Sequence, residues 1–112
     1  MRTESPEPGR KIAFRMQLNP GCADVYRARH DAIWPELVAL LRTAGISDYS
    51  IFIDDRSDTL FAVLRSRDET GRQGLAETAV MRRWWRYMRD VMETDADGAP
   101  IAHDLPCLFH MD

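Results

Sequence analysis

The stretch DYSIFIDDRSDTLFAVLR, residues 48–65, reads as two strands joined by a turn. Its halves, DYSIFID (48–54) and TLFAVLR (59–65), are rich in β-branched and aromatic residues. Asp54, Asp55, Arg56, Ser57 and Asp58 separate them with turn chemistry, which predicts a hairpin wider than a two-residue one. A hairpin in mid-chain decides the fold through what flanks it. Upstream, KIAFRMQLN (11–19) alternates Ile12, Phe14, Met16 and Leu18 with Lys11, Ala13, Arg15 and Gln17. That is the period of a half-buried strand, and Pro20–Gly21 end it.

Residues 22–44 have helical spacing but cannot form one ladder. Ala23 to His30 suits one helix. Pro35 then breaks it and pushes Trp34 towards extended geometry. A second helix restarts with Pro35 in its first turn. Leu37, Leu40, Leu41 and Ala44 stripe it, and Gly45 stands where a helix end wants positive φ.

Downstream of the hairpin, residues 66–78 are polar, contain Gly71 and Gly74, and predict a loop or frayed turn. Residues 79–92 return to helical spacing with a stripe of Val80, Trp84, Met88, Val91 and Met92. Residues 93–106, with Gly98, Pro100 and Pro106, predict a long loop, and CLFHM (107–111) a last short strand. The order is therefore the ferredoxin-like βαββαβ plan, an α+β fold with an antiparallel sheet and helices on one face. Residues 1–10, with Pro6, Pro8 and Gly9, read as a flexible tail and 11–112 as a single domain. Phe, Ile, Leu and Met side chains are expected on the open sheet face. A small domain does not leave such a face wet, so a dimer packed through its sheets is expected.

The chain has 112 residues, 45% hydrophobic and 29% charged, which suits one globular core rather than disorder. A net charge of −3 and a pI near 5.6 give no general attraction to nucleic acid or anionic membrane. No apolar run can span a bilayer, and Met1–Arg10 contains no signal-like segment. Cys22 and Cys107 lie far apart without metal-type spacing and read as free thiols of a reducing cytoplasm.

Three groups of residues carry candidate chemistry. His30 follows Tyr26 by four, so the two share a helix face, and the chain breaks just beyond it at Pro35. A histidine at such a break can face a cleft, and a reference pKa of roughly 6.5 suits proton uptake and release. By position alone a surface or structural histidine is the better reading. Trp84 and Trp85 are about 100° apart on a helix, so one packs and the other lines a concavity, or both fill core. Indole faces stack on sugar C–H faces and the N–H donates to hydroxyls. Tyr49 can offer a phenol to a ligand or simply pack at the sheet edge.

Arg82, Arg83, Arg86 and Arg89 form a solvated face that Asp90 and Glu93 can neutralise at helical spacing. The glycine of the RNA-recognition strand is missing from Leu60-Phe61-Ala62-Val63-Leu64. His30, His103 and His110 lack HxH or HxxxH spacing, so metal binding is weakly supported. No phosphate loop, dinucleotide fingerprint or nucleophile elbow is present.

RHDAIWPEL (29–37) preceded by Tyr26, and RWWRYMRDVM (83–92), together with MQLNPG (16–21) and DYSIFID, resemble the L-rhamnose mutarotases from about Ala13 to Met111. The resemblance implies a cytoplasmic, homodimeric α+β-barrel isomerase that interconverts the anomers of L-rhamnose without metal or organic cofactor. It implies His30 as proton donor, and Tyr26, Tyr49, Trp84 and Trp85 as sugar contacts. The chain departs from such sequences in a longer N-terminal tail and in Gly98 within DADGAP (95–100). Mutarotation opens a hemiacetal and recloses it, which needs one proton removed from the anomeric hydroxyl and one given to the ring oxygen. On this reading His30 donates to the ring oxygen while Tyr26 or Tyr49 holds or relays the anomeric proton. The alternatives are a monooxygenase-like cofactor-independent enzyme of the same fold, or a non-catalytic sugar-binding module.

Overall fold

A computed structural model describes residues 9–112. The predicted tail, 1–10, lies mostly outside the described residues, and its last member opens the first strand. The elements run β1 (Arg10–Gln17), α1 (Ala23–Asp31), α2 (Pro35–Thr43), β2 (Ile46–Asp54), β3 (Thr59–Ser66), α3 (Glu69–Gln73), a 3₁₀ turn (Gly74–Glu77), α4 (Ala79–Met88) and β4 (His103–Asp104). The four strands form one antiparallel sheet in the order β2-β3-β1-β4, the ferredoxin-like arrangement.

Cross-strand register explains how the sheet acquires an inner and an outer face. Ile12, Phe14 and Met16 oppose Leu64, Ala62 and Leu60, and Ile51 and Ile53 of β2 oppose Ala62 and Leu60. Directly opposed residues share a face. All of these but the exposed Ile53 meet Leu37 of α2 and Met81, Trp84 and Met88 of α4 in one core. Leu18, Leu37, Leu60 and Met88 are its largest fully enclosed side chains. The other face was expected to carry Phe, Ile, Leu and Met. It holds Phe52, Phe61, Val63 and Ala13, mixed with Lys11, Arg15 and Arg65, because the alternation turns every Ile, Leu and Met of β1 and β3 inward.

The helix break falls where the sequence puts it. Trp34 is extended at φ −63° and ψ 129°, and Pro35 opens α2, where its missing N–H costs no ladder bond. Gly45 follows α2 at φ +88°, and an added Cβ would stand 3.2 Å from the Asp68 backbone nitrogen. The hairpin turn is closed by Asp54, whose side chain accepts from the Arg56 N–H at 3.1 Å. A register shift between Ser47 and Ser50 makes a bulge in β2, with Asp48 at φ +49°.

Four readings need correction. Residues 66–78 are not a loop: α3 and the 3₁₀ turn occupy most of them, with Leu75 buried as their anchor. The helix expected to Met92 stops at Met88, and Met81, outside the expected stripe, is buried. The last strand is not CLFHM but His103–Asp104, inside the expected loop. Asp104 opposes Phe14 and His103 opposes Arg15, and the Leu105 N–H donates to the Ala13 carbonyl. Continuing that register would set Leu108 opposite Arg10, where β1 begins, so 107–111 soon runs out of partner strand. Pro106 also lacks the N–H a ladder needs. The fourth concerns the arginine face. Asp90 pairs with Arg29 of α1 and not with Arg86, because it lies beyond the last turn of α4. Arg83 pairs with Glu36 of α2 and Arg82 with Glu77.

Candidate active site

α1 carries Tyr26 and His30 one turn apart, facing α4 and the sheet. The Tyr26 ring is buried, and the His30 imidazole stacks on it with centroids 4.2 Å apart and planes 29° from parallel. His30 Nδ1 lies 3.0 Å from the Tyr26 carbonyl oxygen. A carbonyl only accepts, so Nδ1 carries the proton and neutral His30 presents a bare Nε2. Burial lowers the His30 pKa from its ordinary 6.5; the Tyr26 carbonyl and the Asp31 carboxylate oppose this less strongly. The imidazole is therefore mostly neutral at neutral pH.

The Trp84 ring meets the other side of His30 edge-on, centroids 5.3 Å apart. α4 holds it there through a Thr78 cap, whose hydroxyl accepts from the Met81 N–H at 3.4 Å. Trp84 is buried. Trp85, about 100° round the helix, is half-buried and borders both the main cavity and a second, more polar one. The two indoles thus differ in burial, and both border the main cavity.

Tyr49 lies in the second strand, which begins at Ile46, two residues before the expected Asp48. Its ring keeps 39% of its surface open. Desolvation of its phenol in the crowded cleft still pushes its pKa up to about 12. The Tyr26 phenol is raised further, first by burial and then by the neighbouring Tyr49 charge. Both tyrosines are thus neutral donors at any physiological pH.

The structure brings all five residues together. Tyr26, His30, Tyr49, Trp84 and Trp85 line one open cavity of about 980 Å³, between the helices and the inner sheet face. That is at the upper end of the ~300–1,000 Å³ usual for small-molecule sites. Apolar side chains form much of its wall, Met16, Leu18 and Ile51 among them. Trp34 and Tyr87 extend the aromatic group behind it. Trp34 meets Trp84 edge-on at 5.0 Å and stacks on Tyr87 at 5.6 Å. The sequence reading assigned neither a place at the site. The three-residue spacing Trp84–Tyr87 within α4 carried the signal for Tyr87; Trp34 lies beyond the end of α1, so no helical spacing announces it.

Among the described residues, no three His, Cys, Asp or Glu side chains are grouped to hold a metal ion. No described helix is long and apolar enough to cross a membrane. Cys22 is half-buried and Cys107 exposed, both as free thiols. The cleft offers one proton-transferring nitrogen, two neutral phenols and two indoles within apolar walls. Such a set fits a small uncharged ligand with hydroxyl groups and an apolar side.

The family model described as L-rhamnose mutarotase matches residues 11–111. The L-rhamnose mutarotase of Leptothrix cholodnii is 57% identical over 102 residues, 91% of this chain and 96% of that protein. That of Burkholderia orbicola is 58% identical over 101 residues, 90% of this chain and 97% of that protein. The crystal structure of an L-rhamnose mutarotase from Formosa agariphila superposes with a TM-score of 0.86 at 38% identity. It covers 93% of this chain and 100% of its own.

Proposed function

The chain belongs to the L-rhamnose mutarotase family, and from that membership we propose how its cleft performs the reaction. The protein is an isomerase that interconverts the α and β anomers of L-rhamnopyranose. The single observation that carries the mechanism is the pinned tautomer of His30, whose Nδ1–H is committed to the Tyr26 carbonyl.

Nε2 of neutral His30 accepts the proton of the anomeric hydroxyl. As the carbonyl forms at the anomeric carbon, the bond to the ring oxygen breaks. The imidazolium then donates the same proton to the ring oxygen, which becomes a hydroxyl. The atoms balance: one proton moves from one oxygen to the other, and one carbon–oxygen bond opens. Rotation about the adjacent carbon–carbon bond presents the other carbonyl face, and the reverse steps reclose the ring. His30 is thus the proton donor to the ring oxygen, having first been the acceptor. Its lowered pKa keeps the accepting, neutral form populated and makes the imidazolium a ready donor in the second transfer.

Tyr26 and Tyr49 stay protonated and donate hydrogen bonds to the oxygen on which negative charge develops. The indoles of Trp84 and Trp85 cover the apolar side of the sugar, where rhamnose carries a methyl group. Residues 11–112 act as the one catalytic unit. The protein works in the cytoplasm as a homodimer. The exposed ring of Phe52 and the bare apolar side chains of Leu108, Phe109 and Met111 support a second copy covering them.

Exchange between the two anomeric proton signals of L-rhamnose, followed by saturation-transfer NMR, tests the assignment. We expect wild-type protein to speed the exchange and a His30→Ala variant that still binds the sugar to lose most of that effect. Wild-type exchange by His30→Ala would overturn the role given to His30.

A further inference from the structure

Arg29, the residue before His30, makes the only polar link between α1 and the end of α4 among the described residues. Its guanidinium grips the Asp90 carboxylate through two parallel bonds, 2.8 Å to Oδ1 and 3.1 Å to Oδ2. The nitrogen nearer Oδ1 also donates to the Tyr87 carbonyl at 2.6 Å. The same group lies over the Tyr87 ring, 4.5 Å from its centroid. Although on the molecular surface, the side chain is only 18% exposed.

The grip is placed where it governs the cleft. Tyr87 touches Trp84, with centroids 5.7 Å apart, and Trp84 in turn forms one wall of the His30 slot. The other wall is Tyr26, on the same helix as Arg29. The spacing of α1 and α4 therefore sets where Nε2, whose ring Tyr26 orients, stands against the Trp84 wall. Arg29 fastens the last turn of α1 to the chain at and just beyond the last turn of α4. An exposed ion pair alone contributes little. This one adds a backbone carbonyl and an aromatic face to a bidentate fork, a combination that lysine cannot reproduce.

We propose that Arg29 is a positioning residue for the proton transfer, holding α1 against α4 so that His30 meets the sugar in reactive alignment. The inference rests on the reading of His30 as the group that moves the proton. Misplacement of a reacting group by about 1 Å can cost on the order of a hundredfold in rate. Binding of the sugar, spread over several side chains, should suffer less.

The test is a comparison of Arg29→Met, Arg29→Lys and Asp90→Asn with wild type by anomer exchange at varied L-rhamnose concentration. We expect Arg29→Met to lower kcat by about tenfold to a hundredfold with KM changed much less. Arg29→Lys should recover only part of the loss, and Asp90→Asn should show a smaller loss of the same kind. The imidazole proton resonances of His30 give a readout independent of turnover, because ring currents from Tyr26 and Trp84 act on them. They should move in Arg29→Met, while those of the exposed His103 and His110 stay in place. Wild-type kcat with unmoved His30 resonances in Arg29→Met would overturn the proposal. If that variant does not fold, the same result in Asp90→Asn, whose carboxylate is largely exposed, overturns it instead. Full activity in His30→Ala would instead unseat the reading of His30, and a displaced imidazole in Arg29→Met would still stand.

Discussion

The His30 ring stacks on the ring of Tyr26 at 4.2 Å while its Nδ1 donates to the carbonyl of that same residue at 3.0 Å. Two contacts with one neighbour, four residues back on one helix, fix both the plane and the tautomer of the imidazole. Nε2 is left to do chemistry. Burial makes protonation harder, so the His30 pKa lies below 6.5.

The first consequence is kinetic. On the proposed mechanism the neutral imidazole starts the reaction, so the rate should rise with pH through a single acidic limb centred below 6.5 and then level off. Tyr49, at about 12, adds no titration in the neutral range. Exchange rates measured across the mildly acidic range check this. A limb at or above 6.5 would mean that burial does not control the group.

The second is thermodynamic. A folded-state pKa below the unfolded value means that the unfolded chain binds the extra proton first. The unfolded state is then favoured as pH falls from 6.5 towards the folded pKa. The stability that neutral His30 permits is fully present above 6.5 and is lost on acidification. Thermal midpoints of wild type and His30→Gln should run parallel above 6.5. Below it wild type should fall more steeply. Parallel curves throughout the acidic range would contradict the shift.

The tyrosines should behave differently. Tyr49 keeps its proton, so on the proposed mechanism its contribution is a hydrogen bond to the sugar rather than a titration. Tyr49→Phe removes a bond worth about 0.5–1.5 kcal/mol, roughly a twofold to tenfold loss in kcat/KM. The acidic limb should stay where it is. A displaced limb would show that Tyr49 tunes His30 rather than holding the sugar.

Local chemistry explains which parts of the chain were legible. Pro35, Gly45 and the alternation of Ile12, Phe14 and Met16 act within a few residues, and each sat where its pattern placed it. The four-residue step from Tyr26 to His30 likewise survived intact, because both lie in one helix. What failed depended on partners far away in sequence. CLFHM looks like a strand, yet strand β1 begins too late to pair with most of it. Asp90 stood at helical spacing from Arg86, but α4 had ended and Arg29, 61 residues earlier, took its carboxylate. Arg29 was hidden for the same reason. Its importance comes from helix packing, which the spacing of its own segment does not contain.

The C-terminal arm gives the last prediction. Leu108 is fully exposed, and Phe109 and Met111 are 80% and 78% exposed. The arm leaves the sheet beside β4, at the opposite edge from β2 and its contribution to the cleft. No surface among the described residues covers these three. Burying a Leu, a Phe or a Met contributes about 1.5–3 kcal/mol each, and a two-fold dimer would count each contribution twice. That is enough for the arm to decide association. Replacing Leu108, Phe109 and Met111 together by serine should convert a homodimer to monomer at micromolar concentration. The masses can be read by sedimentation or light scattering. The far-ultraviolet circular dichroism should be kept, since the core residues lie elsewhere. A variant as dimeric as wild type would place the interface elsewhere, with Phe52 and the outer sheet face the next surface to alter.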